Sequence, residues 1–312
     1  MEEEARNFDE EFERTYKDVC TNCENKLKED RNKLNKFLIT VFFIAVIINI
    51  IIYFCVEIKG IVTGTVAITF CIMLFLIIQG REIYKKNYKK SVISALVKSY
   101  NSKLYYDAKT GVSKYDYTMS NFDNSFNEFF SEDQIYGTLE NGVKIRVAEV
   151  ATSIVNRTKD ADGNVKEERT ETYRGMYGVI KMPHNITSRI YIANDSIMKR
   201  YSENRIELDS AEFEKYYDCM AEEKVLALRI LTSDAIEKFN DIRRNSKFGF
   251  ELKIEDDMIY FRYKCGQLFE PPTLKNGLDK DLIKKYYKYI YFPLELVIKL
   301  SKNVSHVVLE EK

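Results

Sequence analysis

Cys20 and Cys23 are spaced Cys-x-x-Cys, which could supply half of a zinc site or a redox pair. A structural zinc needs four ligands, and neither a second such pair nor a neighbouring histidine accompanies them, so the spacing is read as carrying no metal function. Cys55 and Cys71 fall in apolar helices, and Cys219 and Cys265 in helix and strand patterns, as small packed residues of a chain kept in a reducing compartment. His184 and His306 are the only histidines, and His306 stands in the tail, so imidazole activation of a nucleophile has at most one candidate base. Adjacent acids occur at Glu132 and Asp133, Glu222 and Glu223, and Asp256 and Asp257. Each pair sits at an expected helix or turn edge, where solvation and capping favour acid without any proton-transfer role. Only 12 glycines are present, and no phosphate-cradling glycine pattern is among them. No catalytic, cofactor-binding or metal-ligating residue is therefore expected, and no cofactor. An enzyme of unlisted mechanism stays open and would show itself as a polar pocket with convergent groups of shifted pKa.

The elements that hold these residues begin with two apolar stretches. From Phe37 to Val56 the chain runs 20 residues without a charge, about 30 Å at the helical rise, the thickness of a bilayer's hydrocarbon core. After Glu57, Ile58, Lys59 and Gly60, a second uncharged stretch covers Ile61 to Gln79. A polar, initially acidic segment of 36 residues precedes the first, unlike a cleaved signal peptide. Basic residues crowd the outer flanks, Lys26 to Lys36 before and Arg81 to Lys90 after, while the connection has only Lys59. The positive-inside bias then places both termini in the cytoplasm of a cell membrane protein with two spans. Lys33, Lys36, Arg81, Lys85 and Lys86 are expected at the lipid headgroups. Asn49 and Thr69 lie at equal distances from the turn and are expected to hydrogen-bond as an intramembrane polar pair. Gly60 and Gly64 are expected to pack the hairpin closely.

Beyond the spans the patterning is α+β. Residues 1–36 read as a cytoplasmic N-terminal helix, 37–79 as a transmembrane helical hairpin (37–56 and 61–79), 80–110 as a helical stalk, and 111–312 as a cytoplasmic mixed domain with an antiparallel-rich sheet and flanking helices. β signals start at Gln134, with Val143, Ile145 and Val147 alternating into a long strand to Val155. Asp160, Asp162 and Gly163 turn the chain, a return strand starts near Val165, and further strands cover Tyr177 to Met182, Arg189 to Ala193 and Arg205 to Leu208. Asp209 with Glu212 is a capping pair for a helix through Tyr217, Lys224 to Leu231 is helical, and Thr232 or Ser233 caps a third helix. Phe248, Phe250, Leu252 and Ile254, turned at Glu255 to Asp257, alternate against Ile259, Phe261, Tyr263 and Cys265 as a hairpin. A closing helix from Asp279 to Asn303 should kink or break near Pro293.

Four stretches in this order resemble the bacterial family called domain of unknown function 3137, over about Asn121 to Asn303. They are FFSEDQIYGTLENGVKIRVAEV (129–150), TYRGMYGVIKMPHNITSRIYI (172–192), ELDSAEFEKYYDCMAEEKVLALRILTSDAIEKF (207–239) and FGFELKIEDDMIYFRYKCGQLFEP (248–271). Tyr177 stands where an aromatic such as Phe is usual in that family, and Ser233 where Pro usually follows the Leu-Thr pair. The resemblance implies a cytoplasmic α+β domain on a membrane anchor and assigns no catalytic residue.

Lys plus Arg equals Asp plus Glu at 48 each, so the chain lacks the basic excess of a non-specific nucleic-acid binder, and no nucleic-acid partner is expected. The expected partners are the lipid bilayer, a protein of unknown identity and further copies of the chain in a homo-oligomer. The leading reading is a non-enzymatic binding or scaffold module whose exposed sheet edges accept a partner segment by strand addition. A second alternative is a lipid sensor, with the basic and aromatic run IKKYYKYIYF (283–292) on the inner leaflet; the competing reading of that run is a core helix with Lys and Tyr tips reaching water.

Overall fold

The two apolar stretches lie within two long helices that run on, without interruption, into the rest of the protein. The computed structural model describes residues 8–55, 59–159, 164–194, 204–246, 249–272 and 278–310. Helix α1 spans Phe8–Cys55 and α2 spans Lys59–Tyr88. A π-helical turn, Lys89–Ile93, then leads into α3, Ser94–Tyr100. Both long helices have segments long and apolar enough to cross a membrane, with Phe43, Phe54 and Phe70 more than half exposed there. Val56, which ends the first expected span, and Glu57 and Ile58 of the expected connection lie outside the described residues, as do the expected turn residues Asp160, Asp162 and Gly163, the first hairpin residue Phe248, and residues 1–7.

The helices pair antiparallel and stay in step over their length. Ser99 donates to Thr15 at 3.1 Å, the Cys23 thiol to the Ser91 carbonyl at 3.5 Å, and Asn87 to Asp30 at 3.1 Å. Further on, Leu34 packs so closely against Gly80 that a Cβ there would lie 2.5 Å from its Cδ1, and Asn49 donates to Thr69 at 2.9 Å. From Thr15 to Asn49 the pairing runs about 51 Å at the helical rise. Gly80, rather than Gly64, makes the close approach: a Cβ on Gly64 would meet nothing within 4 Å.

Among the described residues nine strands form one antiparallel sheet in the order β1-β2-β3-β4-β9-β8-β5-β7-β6. Their ranges are β1 Leu104–Asp107, β2 Glu128–Thr138, β3 Lys144–Lys159, β4 Val165–Lys181 and β5 Ile190–Asn194. The others are β6 Arg205–Ile206, β7 Tyr217–Ala221, β8 Phe250–Glu255 and β9 Met258–Tyr263. The helices between and after them are α4 Lys114–Met119, α5 Ala211–Tyr216, α6 Lys224–Ile230, α7 Ser233–Asn245 and α8 Lys280–Glu310.

Strand alternation sorts side chains between two cores. On one face Ile145, Val147, Ile180, Phe250, Leu252, Ile259 and Phe261 join Phe12, Val19 and Leu27 of α1, Leu96 of α3, and Ile290, Leu294 and Leu300 of α8. On the other, Ala148, Val150, Tyr177, Val179 and Tyr260 pack under Tyr117 of α4, whose ring lies 4.9 Å from that of Tyr177. The N-terminal part of α1 is thus part of the helical layer over the sheet.

Several expectations are corrected. The return strand and the strand at Tyr177 are one 17-residue strand, β4, because Gly175 does not break it; a Cβ there would lie 2.1 Å from the Tyr263 carbonyl, so glycine lets β9 come close. Helix α8 runs through Pro293, which is buried among Tyr289, Phe292 and Leu294 and held there by packing despite the lost hydrogen bond. Ser210, not Asp209, caps α5 by accepting the Phe213 N–H at 3.3 Å. Thr232 is the N-cap residue of α7, yet its hydroxyl accepts from Asn303 at 3.1 Å instead of capping. Strands β1 and β7, and the first residues of β2, occupy segments given no strand from the sequence.

Candidate functional site

Where the stalk meets the sheet, charged side chains are buried together. Strand β2 slips register between Glu132 and Ile135, and Asp133 takes a φ of 58°, a left-handed conformation that Asp tolerates. This bulge turns the Asp133 carboxylate inward, to zero exposure, beneath the π turn. The π turn in its own way redirects Lys89, which shares the buried face with Val92, Ile93, Leu96 and Val97. One residue pair farther along, Glu149 occupies the next inward position of β3 after Ile145 and Val147, and is 1% exposed.

Lys89 Nζ lies 2.7 Å from Asp133, 3.5 Å from Glu132 and 3.6 Å from Glu270. The Tyr106 hydroxyl on β1 donates to the other Asp133 oxygen in a short hydrogen bond. Glu149 accepts the Leu268 N–H at 2.7 Å and lies 3.7 Å from Arg174. Lys85 reaches Glu270 at 3.3 Å from one turn nearer the apolar stretch. Burial pushes the Asp133 carboxyl up to about 6, against the pull of Lys89 and Tyr106. Burial likewise raises Glu149 to about 7, opposed by the Leu268 N–H and Arg174 and assisted by the charges of Asp133 and Glu132. For Lys89, burial favours the neutral amine, but Asp133, Glu132 and Glu270 outweigh it and its pKa rises. Near neutral pH the Lys89–Asp133 pair is therefore ionised.

Carboxylate oxygens of Glu132, Asp133 and Glu149 lie within 4.8 Å of one another, a donor set that hard cations use. Here the chain's own Lys89, Arg174, Tyr106 and Leu268 N–H meet these carboxylates. The arrangement ties the π turn of the stalk to β1, β2, β3, β4 and the 268–270 segment.

This overturns the reading of Glu132 and Asp133 as a solvated edge: an acid inside an alternating strand marked the bulge, and Lys89 at helical spacing from Val92, Ile93 and Leu96 marked a lysine on the buried face. Glu222 and Asp256 are exposed in turns, as expected of them, and Asp257 pairs with Lys181 at 3.0 Å. His184 is half-buried in the loop after β4, and His306 pairs with Glu310 on the exposed side of α8. Cys20 is half-buried and Cys23 buried against the π turn, with burial raising the Cys23 pKa. Lys36, Arg81 and Lys86 are exposed, while Lys33 pairs with Glu29 at 2.6 Å. Lys85, expected at the headgroups, lies 3.3 Å from Glu270 of the sheet domain. The run 283–292 is core: Tyr286, Tyr287, Ile290 and Tyr291 are buried, and Lys284 pairs with Asp9 at 2.8 Å.

The segment 171–302, from within β4 to within α8, matches the family described as a protein of unknown function, DUF3137. Its start is later than the resemblance suggested, and it leaves the 129–150 stretch outside. The charged network thus joins Arg174, Leu268 and Glu270 of the matching segment to Lys89, Tyr106, Glu132, Asp133 and Glu149, which precede it. No curated protein matches the chain. Among solved structures, the crystal structure of the mycobacterial trehalose monomycolate transport factor A, TtfA, is similar over 64% of this chain and 92% of that chain, at 7% identity and a TM-score of 0.34. That score is too low to transfer a function.

Proposed function

We propose that the chain is a membrane-anchored, non-enzymatic binding or scaffold module, with both termini in the cytoplasm, that presents a projecting β ribbon to a partner protein by strand addition. The observation that carries this reading is the ribbon. Strand β2 stops pairing with β3 at Ser153, and β9 stops pairing with β4 at Met176, yet β3 continues to Lys159 and β4 begins at Val165. At the last step Asn127 acts as a one-residue substitute strand: its side chain donates to the Val155 carbonyl and accepts the Val155 N–H, both at 2.8 Å. Past that point, among the described residues, Asn156–Lys159 and Val165–Glu168 pair only with each other and are exposed. Such open edges accept an added strand. Arg157, Lys159, Glu167 and Glu168 on them guard against indiscriminate pairing.

The anchor rests on the two apolar helices and their basic flanks. Because α1 and α2 continue from the spans into the core, the sheet domain would sit at a fixed stand-off. The Lys89 network lies about 15 Å along α2 from Gln79. Lys284, paired with Asp9, would lie about 42 Å along α1 from Phe37, too far for the 283–292 run to reach lipid. That distance favours the scaffold over the lipid sensor. The carboxylates of the network, each answered by a partner within the chain, serve to lock stalk to sheet.

The test is an affinity recovery from native membranes with the full chain and with a variant in which residues 156–168 are replaced by a two-residue Asn-Gly turn between the paired Val155 and Arg169. A defined protein recovered with the full chain and lost with the shortened ribbon supports the reading; equal recovery with both contradicts it.

A further inference from the structure

Between the two apolar helices runs a groove of about 650 Å³, and one polar atom within it has no partner. Its α1 wall is Phe42, Val46, Asn49 and Tyr53, and its α2 wall includes Phe70 and Met73, each set at the helical repeat of one face. Asn49 uses both hydrogens of its amide, donating to the Ala45 carbonyl at 2.8 Å and to the Thr69 hydroxyl at 2.9 Å. The Thr69 hydroxyl in turn donates to the Thr65 carbonyl at 2.6 Å. Asn49 Oδ1 is buried and, among the described residues, accepts nothing.

Given the anchored reading above, on which this inference rests, Asn49 stands about 10 Å along the helix from Val56 and about 18 Å from Phe37, inside hydrocarbon. No water reaches that depth to satisfy a carbonyl oxygen. An acyl chain would fit the apolar walls but brings no donor. We propose that the groove is the interface of a homodimer, in which a second copy of this hairpin packs through the same face and Asn49 exchanges amide hydrogen bonds with Asn49 of that copy.

Three features single out the second copy. Both copies enter the bilayer the same way round, so their Asn49 amides share one depth, which a two-fold axis along the membrane normal brings face to face. The exchange strands no group: the Ala45 carbonyl keeps its backbone helix bond when the amide hydrogen leaves it, and the terminal amide torsion of Asn is soft. Among the described residues, only those of the two apolar helices line the groove, which nothing else covers. An amide pair of this kind selects register and oligomeric state in apolar helix contacts.

The experiment uses the full chain, labelled at its C-terminus with donor or acceptor fluorophores and reconstituted in phosphatidylcholine and phosphatidylglycerol vesicles over a range of protein-to-lipid ratios. The expected energy transfer rises along a monomer–dimer curve. Asn49→Leu moves its midpoint to about tenfold higher protein, equivalent to about 1.4 kcal/mol, while Asn49→Gln, which keeps the amide, stays near the parent. Val46→Trp, inside the groove, weakens transfer; Ile47→Trp, outside it, does not. Circular dichroism of each variant reports that the fold is retained. Resistance of the protein to alkaline carbonate extraction is read in parallel: release from the membrane overturns the anchor itself. Retention with no transfer at any ratio, or with curves that Asn49→Leu and Val46→Trp leave in place, overturns the dimer alone and assigns the groove to lipid.

Discussion

Replacing Glu149 with Gln isolates the consequence of burying a carboxyl at the junction of stalk and sheet. The carboxyl is 1% exposed, and burial lifts its pKa from 4.5 to about 7. A group whose pKa is higher in the folded protein than in the unfolded chain stabilises the fold most when both are protonated, below about 4.5, and that contribution is lost as pH rises through about 7. The shift of roughly 2.5 units corresponds to about 3 kcal/mol at alkaline pH. Gln at this position is neutral throughout and still accepts the Leu268 N–H, so its stability lacks this pH-dependent loss. Thermal unfolding of full-length parent and Glu149→Gln in detergent is therefore expected to agree closely at pH 4.5. At pH 9 the variant should melt higher by about 6–12 °C, taking roughly 2–4 °C per kcal/mol for a domain of this size. A gap that is equal at the two pH values, or that favours the parent at pH 9, would refute the reasoning. Either result would show that Arg174 and the Leu268 N–H, rather than burial, dominate at Glu149.

Removing the opposite charge should do the reverse: Lys89→Met leaves Asp133 buried beside Glu132 with no cation in contact, at a loss of about 3–5 kcal/mol, and adding Asp133→Asn should restore much of it in denaturant unfolding. Gly175→Ala places a methyl against the Tyr263 carbonyl, which as backbone cannot swing aside, and is expected to lower stability by about 2–3 kcal/mol in the same assay; a neutral result would mean that β4 and β9 part easily. Asn127→Ala removes both bonds to Val155, for about 1–3 kcal/mol, and hydrogen exchange at the Val155 N–H should quicken while exchange in β8 and β9 stays unchanged.

Long-period patterns were legible in the residues, and convergence in space was not. Two uncharged stretches and the alternation of Phe250 to Ile254 against Ile259 to Tyr263 survive in the structure because one local rule dominates each. Short strands carry too few residues for a period of their own: β7 follows directly on α5, so Tyr217 closes a helical pattern and opens a strand at once. Pro293 misled because the tertiary packing of α8 outweighs a local penalty. The charged network was hidden for a different reason. A basic flank of five cations, Lys89 among them, gives no sign of which is buried, and a Glu-Asp pair resembles any solvated turn until the bulge is known. The signals were present all the same: Lys89 continues the apolar spacing of Val92, Leu96 and Tyr100, and Glu149 continues the inward alternation of Ile145 and Val147. A charge in phase with an apolar stripe is buried with a partner, and the partner must come from elsewhere in the chain.

The central claim, a membrane-anchored module that engages a protein through the β3–β4 ribbon, is tested most directly by site-specific photo-crosslinking in native membranes. A photoreactive residue at Thr158 or Glu168 on the ribbon is compared with one at Val225, which is exposed on α6 far along the sheet order from β3 and β4. The account predicts a discrete adduct with a second protein at the ribbon positions and none at Val225; adducts at Val225 alone, or at neither ribbon position, would contradict it.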